Sequence, residues 1–199
     1  KRLINPISNC AYPGEASLFK ESEFWNGPLH ESVQVYGSVR KLSTIGSWAY
    51  AKQHNLDVVN LILSNMYGPG DHFEEKRSHA LGALIMKMVK ARIEGKEEVI
   101  VWGTGAPVRE WMFVDDGAES LIRGIKIPRS IDPINVGIGK GISIIDLADL
   151  IKSETCYEGK LVFDKTKPDG IYRKLLNVKK INKLGWIAKT TVEIGLKKY

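Results

Sequence analysis

The chain has 199 residues, of which 43% are hydrophobic and 26% charged, and its formal net charge at pH 7 is +6. This composition is ordinary for a soluble globular protein, and the sequence shows no low-complexity segment. No apolar run approaches the ~20 residues of a membrane span, and the first residues lack the apolar core of a signal peptide, which favours the cytoplasm. Two cysteines far apart, Cys10 and Cys156, fit a reducing compartment rather than a disulfide scaffold.

The positive charge is concentrated in the C-terminal part of the chain, where Ile151–Tyr199 holds 12 lysines and arginines against 5 acidic residues. A basic surface of this kind can contact nucleic acid, an acidic membrane or a phosphorylated ligand. The sequence contains no recognised nucleic-acid-binding module, so we favour a phosphorylated ligand and expect neither a nucleic acid nor a membrane as partner. For any single lysine, a solvated surface position is the alternative.

Apolar periodicity divides the chain into alternating strands and helices, which predicts an α/β protein with a largely parallel sheet. In chain order the predicted elements are a strand Leu3–Ser8, a long helix Ser32–His54, a buried strand Leu56–Leu63, a loop Ser64–Ser78, a helix His79–Glu94, a strand Val99–Trp102, a helix capped by Asp115 and ending at Ile125, a strand Pro133–Val136, a helix Ser143–Lys152 capped by Ser143, a strand Leu161–Phe163, and short helices Val178–Leu184 and Thr191–Lys198.

No strand–Gly-x-Gly-x-x-Gly–helix unit occurs, although this unit is the usual pyrophosphate loop of dinucleotide-binding folds. Gly137, Gly139 and Gly141 alternate along the chain, which is the wrong spacing for such a loop. If the protein binds a dinucleotide, its phosphate-binding half is therefore expected before Lys1.

Two polar motifs lie where an open α/β sheet would place a ligand. Ser8 and Cys10 follow the first predicted strand, and such sheets bind ligands at the carboxyl ends of their strands. Tyr36 opens the long helix, with Arg40 four residues later on the same helix face. A nearby cation stabilises a phenolate, so this phenol could act as acid or base. Taken alone, each motif is better explained as an ordinary turn or helix start.

The remaining motifs follow in the same order. Asn65 and Met66 lie after the buried strand, and His79 begins the next helix, where an imidazole could transfer protons at neutral pH. No other His or Cys lies near His79 in a metal-binding pattern, so we predict no metal site. Trp102 and Arg109 flank a tight turn, and these residue types can stack on a base and clamp a phosphate. Further on, Lys-Pro-Asp-Gly precedes Arg-Lys, a turn followed by two cations.

Together, the order and spacing of these motifs resemble the extended short-chain dehydrogenase/reductases of the NAD-dependent epimerase/dehydratase family, and within it the GDP-L-fucose synthases. The resemblance runs from Lys1 to Tyr199. The Asn-x-Tyr-Gly-Pro loop and the Val-Asp-Asp segment are shared across the family. The Ser-x-Cys pair, the Ser-His pair, Trp-Gly-x-Gly-x-Pro-x-Arg-Glu and Lys-Pro-Asp-Gly-x-x-Arg-Lys are more particular to this branch.

The resemblance implies a Rossmann-like parallel sheet, whose N-terminal part is missing from this chain, and a smaller α/β substrate-binding domain. Residues 1–78 would form the C-terminal portion of the cofactor domain. Residues 79–199 would form mainly the substrate domain, with segments around 99–125 returning to the cofactor domain. The resemblance also implies a homodimer, formed through the helix Ser32–His54.

The resemblance further implies roles for individual residues. Ser8 and Tyr36 would contact the 4-keto oxygen of a sugar, with Tyr36 as the proton donor during hydride transfer. Cys10 and His79 would be the base and acid that invert C3 and C5. The predicted cofactor-binding residues are Ser8, Tyr36, Arg40, Asn65, Met66 and His79, and those that would hold the nucleotide diphosphate are Lys87, Trp102, Arg109 and Lys174.

One catalytic position departs from the family pattern, which is Tyr-x-x-x-Lys. Arg40 stands at the lysine position after Tyr36 and keeps the positive charge, but an arginine essentially never deprotonates and so relays no proton. Lys41, one residue on, points about 100° away around the helix. The sequence therefore predicts the epimerisation more firmly than the reduction.

The activity implied is that of an NADP-dependent epimerase/reductase acting on a GDP-4-keto-6-deoxy sugar, with NAD as the other candidate cofactor. Two alternatives stay open. One is a UDP- or dTDP-sugar 4-epimerase or 4,6-dehydratase of the same family, which would not need Cys10 and His79 as an acid–base pair. The other is a nucleotide-sugar-binding homologue that has lost turnover through Arg40.

Overall fold

The computed structural model describes residues 1–74 and 78–199. The strands are β1 Arg2–Ser8, β2 Asp57–Leu63, β3 Asn65–Tyr67, β4 Glu98–Trp102, β5 Val108–Arg109, β6 Trp111–Phe113, β7 Ser130–Val136, β8 Ile142–Ser143, β9 Lys160–Asp164 and β10 Arg173–Lys174. The α-helices are α1 Gln34–His54, α2 Ala80–Ile93, α3 Val114–Gly124, α4 Ile144–Glu154, α5 Lys179–Lys183 and α6 Val192–Leu196.

Three parallel strands form the central sheet in the order β1–β2–β7. The pairing of β1 with β2 runs from Arg2 opposite Asp57 to Ser8 opposite Leu63. Every residue of β2 after Asp57 is buried, as expected for the middle strand of a parallel sheet that is covered on both faces.

Helices cover both faces of this sheet. Asn60 faces α1, where its Oδ1 accepts a hydrogen bond from Ser47 at 2.9 Å, whereas Leu61 packs beside Gly124 of α3. Because successive residues of a strand point to opposite faces, α1 and α3 lie on opposite sides of the sheet. The parallel sheet with helices on both faces confirms the predicted Rossmann-like α/β fold.

Side-chain amides connect the three central strands. Asn5 Nδ2 of β1 donates to Asn60 Oδ1 of β2 at 2.8 Å, and Asn60 Nδ2 donates to the carbonyl oxygen of Ile131 in β7, also at 2.8 Å. Both asparagines are buried. These hydrogen bonds offset the cost of removing the amide groups from water.

A second group of strands packs with α2 and α4. In this group β4 pairs in parallel with β9, while β5 lies between β8 and β10. The shared core includes Leu84, Met88, Val101, Leu147 and Ile151. Of the segment 99–125 predicted to return to the cofactor domain, α3 packs against β1 and β2, whereas β4 pairs with β9. The division into domains stays a prediction.

The prediction of one continuous loop over Ser64–Ser78 is in part wrong. The segment contains β3, which pairs in parallel with β6. A three-residue strand is too short to show a two-residue hydrophobic period, so its pairing partner decides the structure. Part of the predicted loop, residues 75–77, lies outside the described residues.

One of the two predicted helix caps is confirmed. Ser143 Oγ accepts a hydrogen bond from the backbone N–H of Asp146 at 3.0 Å at the start of α4. The prediction that Asp115 caps a helix was wrong, because α3 already begins at Val114 and Phe113 occupies the cap position. Asp115 lies in the first turn instead, where a carboxylate is favourable near the positive end of the helix dipole. Within residues 1–74 and 78–199, the structure has no helix that is both long and apolar enough to cross a membrane.

Candidate active site

A cleft of about 600 Å³ opens at the carboxyl ends of β1 and β2. Its walls come from the turn after β1, the start of α1, the segment around β3 and the start of α2. All of the residues predicted to serve catalysis or cofactor binding line this cleft, namely Ser8, Cys10, Tyr36, Arg40, Asn65, Met66 and His79. Segments up to 71 residues apart in sequence therefore contribute to one site.

The first wall is a 3₁₀ turn at Asn9–Ala11, directly after β1. Ser8 Oγ caps this turn by accepting a hydrogen bond from the backbone N–H of Cys10 at 3.2 Å. The half-buried Cys10 is a free thiol, and its Sγ lies 3.7 Å from Asn9 Oδ1 and 3.6 Å from Lys174 Nζ. The sulfur therefore contacts an ammonium group from a distant part of the chain.

Helix α1 comes close enough to this turn to place Tyr36 in the cleft. A Cβ atom at Gly37 would lie 2.5 Å from the carbonyl oxygen of Cys10 and 2.9 Å from a methyl carbon of Leu29. The first distance is far shorter than any van der Waals contact, so glycine is required for this approach.

Arg40 holds a positive charge beside the Tyr36 phenol. Its Nη2 donates to Tyr36 Oη at 3.1 Å, and its Cζ lies 4.8 Å from the ring centroid. Lys41 points elsewhere: its Nζ lies 5.6 Å and 5.5 Å from the ring centroids of Phe24 and Trp25, and burial lowers its pKa. Lys41 therefore does not take the place of the lysine expected after Tyr36.

The opposite wall contains His79, the N-cap residue of α2, whose exposed side chain makes no capping hydrogen bond. It also contains Ser64, which sequence reasoning missed. Ser64 is buried at the end of β2, and its Oγ has no hydrogen-bond partner among the described residues. A buried hydroxyl without a partner is costly, so Ser64 is suited to bind a polar group of a ligand. Its position after a buried strand, like that of Ser8, was the available signal.

A second cleft of about 290 Å³ lies between α2, β4 and the loop that contains Pro168 and Asp169. It is lined by three of the four residues predicted to hold a nucleotide diphosphate, Lys87, Trp102 and Arg109. Trp102 is 57% exposed, and Lys87 Nζ lies 5.3 Å from its ring centroid. An exposed aromatic face beside cations can stack on a base while the cations bind phosphate.

The loop that contains Pro168 and Asp169 is held to the turn after Trp102 by two hydrogen bonds. Asp169 Oδ1 accepts from the backbone N–H of Thr104 and Oδ2 accepts from Thr104 Oγ1, both at 2.7 Å. Arg109 Nη2 donates to the carbonyl oxygen of Asp169 at 3.4 Å. Burial lowers the pKa of Arg109, and the nearby Asp169 carboxylate opposes that change.

Lys174, the fourth predicted diphosphate ligand, does not line the second cleft. It pairs with Arg109 in the β5–β10 ladder, but its Nζ contacts Cys10 in the first cleft.

Glu110 was not predicted as a functional residue, although it belongs to the Trp–Arg–Glu motif. It is fully buried, and its carboxylate accepts hydrogen bonds from the backbone N–H groups of Gly139 and Leu176.

Comparison with known proteins assigns the chain to a family. Residues 1–137 match the NAD dependent epimerase/dehydratase family. The chain belongs to this family. Within it, the chain is 36% identical over 197 residues to GDP-L-fucose synthase 1 of Arabidopsis thaliana, covering 98% of this chain and 61% of that protein. It is 34% identical over 205 residues to the GDP-L-fucose synthase of Escherichia coli, covering 98% of this chain and 64% of that protein.

Solved structures agree with this epimerase/dehydratase assignment. A GDP-L-fucose synthetase from Naegleria fowleri bound to NADP is similar with a TM-score of 0.90 at 28% identity, covering all of this chain and 64% of that one. A GDP-6-OMe-4-keto-L-xylo-heptose reductase from C. jejuni gives a TM-score of 0.92 at 26% identity. The chain thus spans about three fifths of the length of the curated relatives it matches.

Proposed function

We propose that this protein catalyses the NADP-dependent epimerisation and reduction of a GDP-4-keto-6-deoxy sugar. The observation that carries the proposal is the presence of Cys10 and His79 in one cleft with Ser8 and Tyr36. Inversion beside a ketone needs a base and an acid, and reduction needs a proton donor at the ketone oxygen. The names of the relatives, GDP-L-fucose synthase, support the same activity.

In the epimerisation, a ring carbon beside the ketone would lose its proton to Cys10, and His79 would return a proton from the other side. Hydrogen bonds from Ser8 and Tyr36 would stabilise the enolate oxygen that forms between these events. In the reduction, Tyr36 would donate its proton to the 4-keto oxygen. Arg40 would hold the phenol in place through the 3.1 Å hydrogen bond.

The cleft fits the nicotinamide end of NADP, because Ser64 Oγ and Arg40 Nε are buried donors without a partner among the described residues. Asn65 and Met66 would form the adjacent wall of that pocket. When bound as NADPH, the cofactor supplies the hydride that reduces C4. Lys87, Trp102 and Arg109 would bind the nucleotide diphosphate in the second cleft, where their side chains already converge.

The proposal is tested on the full-length protein with GDP-4-keto-6-deoxymannose and NADPH in deuterium oxide. We expect deuterium at C3 and C5 together with NADPH oxidation. Cys10→Ser should slow deuterium incorporation by about a hundredfold or more, because it removes the base. Cys156→Ser is the matched control, since Cys156 is exposed and far from the cleft in sequence. A wild-type protein that neither incorporates deuterium nor oxidises NADPH would overturn the proposal.

Thermal-shift measurements with GDP, UDP and dTDP distinguish the proposed enzyme from a UDP- or dTDP-sugar epimerase or dehydratase, because only the proposed enzyme should be stabilised most by GDP.

The activity of Arg40→Lys distinguishes the proposed enzyme from a protein that binds nucleotide sugars without turnover. If activity appears only in Arg40→Lys, the natural protein binds nucleotide sugars without converting them. Turnover in the wild type, even at a low rate, excludes that alternative.

The proposal includes a homodimer and a cytoplasmic location. Helix α1 carries an apolar stripe that we define as Val35, Val39, Leu42, Ile45 and Trp48, all of which are exposed. Spacings of three and four residues place these side chains along one side of the helix, as expected for a helix that packs against a second copy.

A cytoplasmic location is supported by Cys10, because this cysteine can act as a base only while it is reduced and not part of a disulfide.

A further inference from the structure

Lys174 reaches Cys10 across the molecule. Its Nζ lies 3.6 Å from Cys10 Sγ, although the two residues are 164 positions apart in sequence. Both side chains are half-buried. The three residues grouped with Lys174 as diphosphate ligands line the second cleft, and Lys174 does not line it.

The backbone around Lys174 is fixed on both sides. The ladder with β5 pairs Lys174 with Arg109. The next residue, Leu175, accepts a hydrogen bond from the backbone N–H of Phe19 at 2.8 Å. Leu176 donates to Glu110 Oε2 at 2.8 Å. These bonds fix the backbone of β10 and of the two residues after it, from which the Lys174 side chain reaches Cys10.

We infer that Lys174 is a catalytic residue of the epimerisation, where its ammonium group holds the Cys10 thiolate and balances its charge until the sulfur takes up a proton. This inference rests on the proposed function. In the step, the C–H bond beside the ketone breaks, its proton moves to the sulfur, and the electron pair moves onto the ketone oxygen as an enolate. The enolate carbon then takes a proton from His79 on the opposite face, which forms the new C–H bond and restores the ketone. The sulfur afterwards releases its proton to solvent and His79 takes one up from solvent, which restores both groups.

The first test measures the sulfur directly in the substrate-free, full-length protein. Iodoacetamide reacts with the thiolate and not with the thiol, and peptide mass spectrometry resolves Cys10 from Cys156. At pH 7, Lys174→Met should slow alkylation of Cys10 relative to Cys156 by about tenfold, the loss expected for one hydrogen bond to a charged group. Lys174→Arg, which keeps a cation, should recover part of that rate. Lys165→Met, an exposed lysine outside both clefts, should leave it unchanged.

The second test measures turnover. Lys174→Met should lower kcat for deuterium incorporation at C3 and C5 by about tenfold. This loss should exceed the loss in kcat for the reduction of a 4-keto sugar supplied already epimerised, because the reduction does not use Cys10. If Lys174 only binds the diphosphate, the variant raises KM for both reactions and leaves the alkylation ratio unchanged, and this result would overturn the inference.

The two tests separate failure of this inference from failure of the proposed function. A wild-type protein without any deuterium incorporation overturns the proposed activity, and the catalytic role of Lys174 with it. Wild-type incorporation, combined with equal alkylation ratios in Lys174→Met and the wild type, overturns the role of Lys174 alone.

Discussion

The carboxylate of Glu110, which lies between β5 and β6, connects this part of the chain to two distant segments. Oε1 accepts a hydrogen bond from Gly139 N at 2.9 Å, and Oε2 accepts one from Leu176 N at 2.8 Å. Burial raises the pKa of Glu110 to about 7, although the backbone donors act in the opposite direction. The residue therefore titrates near neutral pH at a position that fixes the backbone next to Lys174.

This titration predicts a stability change with pH. Because the pKa of Glu110 is about 7 when folded and about 4.5 when unfolded, its contribution is full below pH 4.5 and is lost as pH rises through 7. The difference corresponds to roughly 3 kcal/mol in the free energy of unfolding. Glu110→Gln should lack this part of the pH dependence in urea unfolding between pH 4.5 and 8. The exposed Glu15→Gln should keep the wild-type slope, and equal slopes in all three proteins would contradict the prediction.

At the scale of elements, the cleft depends on how closely helix α1 meets the turn after β1. Gly37 permits that contact, and the opposing atom is a backbone oxygen that cannot rotate away. Asp169 performs a similar task in the second cleft, where it holds the Pro168 loop to the turn after Trp102. Both contacts position segments that contain proposed ligand-binding residues.

Gly37→Ala should destabilise the protein by roughly 1–3 kcal/mol, the usual cost of overpacking, because the new methyl group collides with the Cys10 carbonyl. Gly46→Ala is the matched control on the same helix, since a Cβ there meets nothing within 4 Å in one copy of the chain. Both variants are compared in the Leu42→Glu background, because Gly46 lies on the side of α1 that carries the apolar stripe. Gly46→Ala should instead gain up to about 1 kcal/mol from helix propensity. Chemical denaturation measures both changes, and a neutral Gly37→Ala would show that the helix moves away from the turn easily.

Asp169→Ala should weaken binding of GDP about fivefold, because the loop loses its two hydrogen bonds to Thr104 and no longer holds one wall of the second cleft. Isothermal titration calorimetry on the full-length protein measures the affinity. Asp149→Ala, an exposed carboxylate on α4, is the control. Equal affinities in the two variants would mean that the loop does not contribute to the nucleotide site.

At the scale of the whole molecule, the apolar stripe on α1 is the surface that we expect a second copy to cover. Leu42 lies in its middle and is 66% exposed. Leu42→Glu should convert a dimer into a monomer in analytical ultracentrifugation, because it would bury a charge at the contact. Ile122→Glu introduces the same charge at an exposed apolar position of α3, on the other face of the sheet from α1, and should leave the dimer intact. A wild-type monomer would exclude the homodimer.

The sequence predicts the fold and one cleft more readily than the contacts between distant segments. The helix Ser32–His54 and the strand Leu56–Leu63 are long enough for periodicity to predict them within two residues of the observed bounds. Strand β3 has three residues, and the contact of Lys174 with Cys10 joins opposite ends of the chain. The burial of Glu110 depends likewise on distant backbone groups, which leave no local pattern in the sequence.

The paired amides of Asn5 and Asn60 bear on how the chain finds its native alignment. Their hydrogen bond forms only when β1 and β2 pair with the observed offset, which also sets Ser8 opposite Leu63. A slip of β1 by one residue would turn the Asn5 side chain toward the opposite face of the sheet and leave both amides without this hydrogen bond. Misaligned intermediates during folding are therefore penalised at the centre of the sheet, three residues before the serine that the chemistry uses. A buried polar pair that does not bind substrate in the proposed mechanism therefore helps to select the strand alignment on which the site depends.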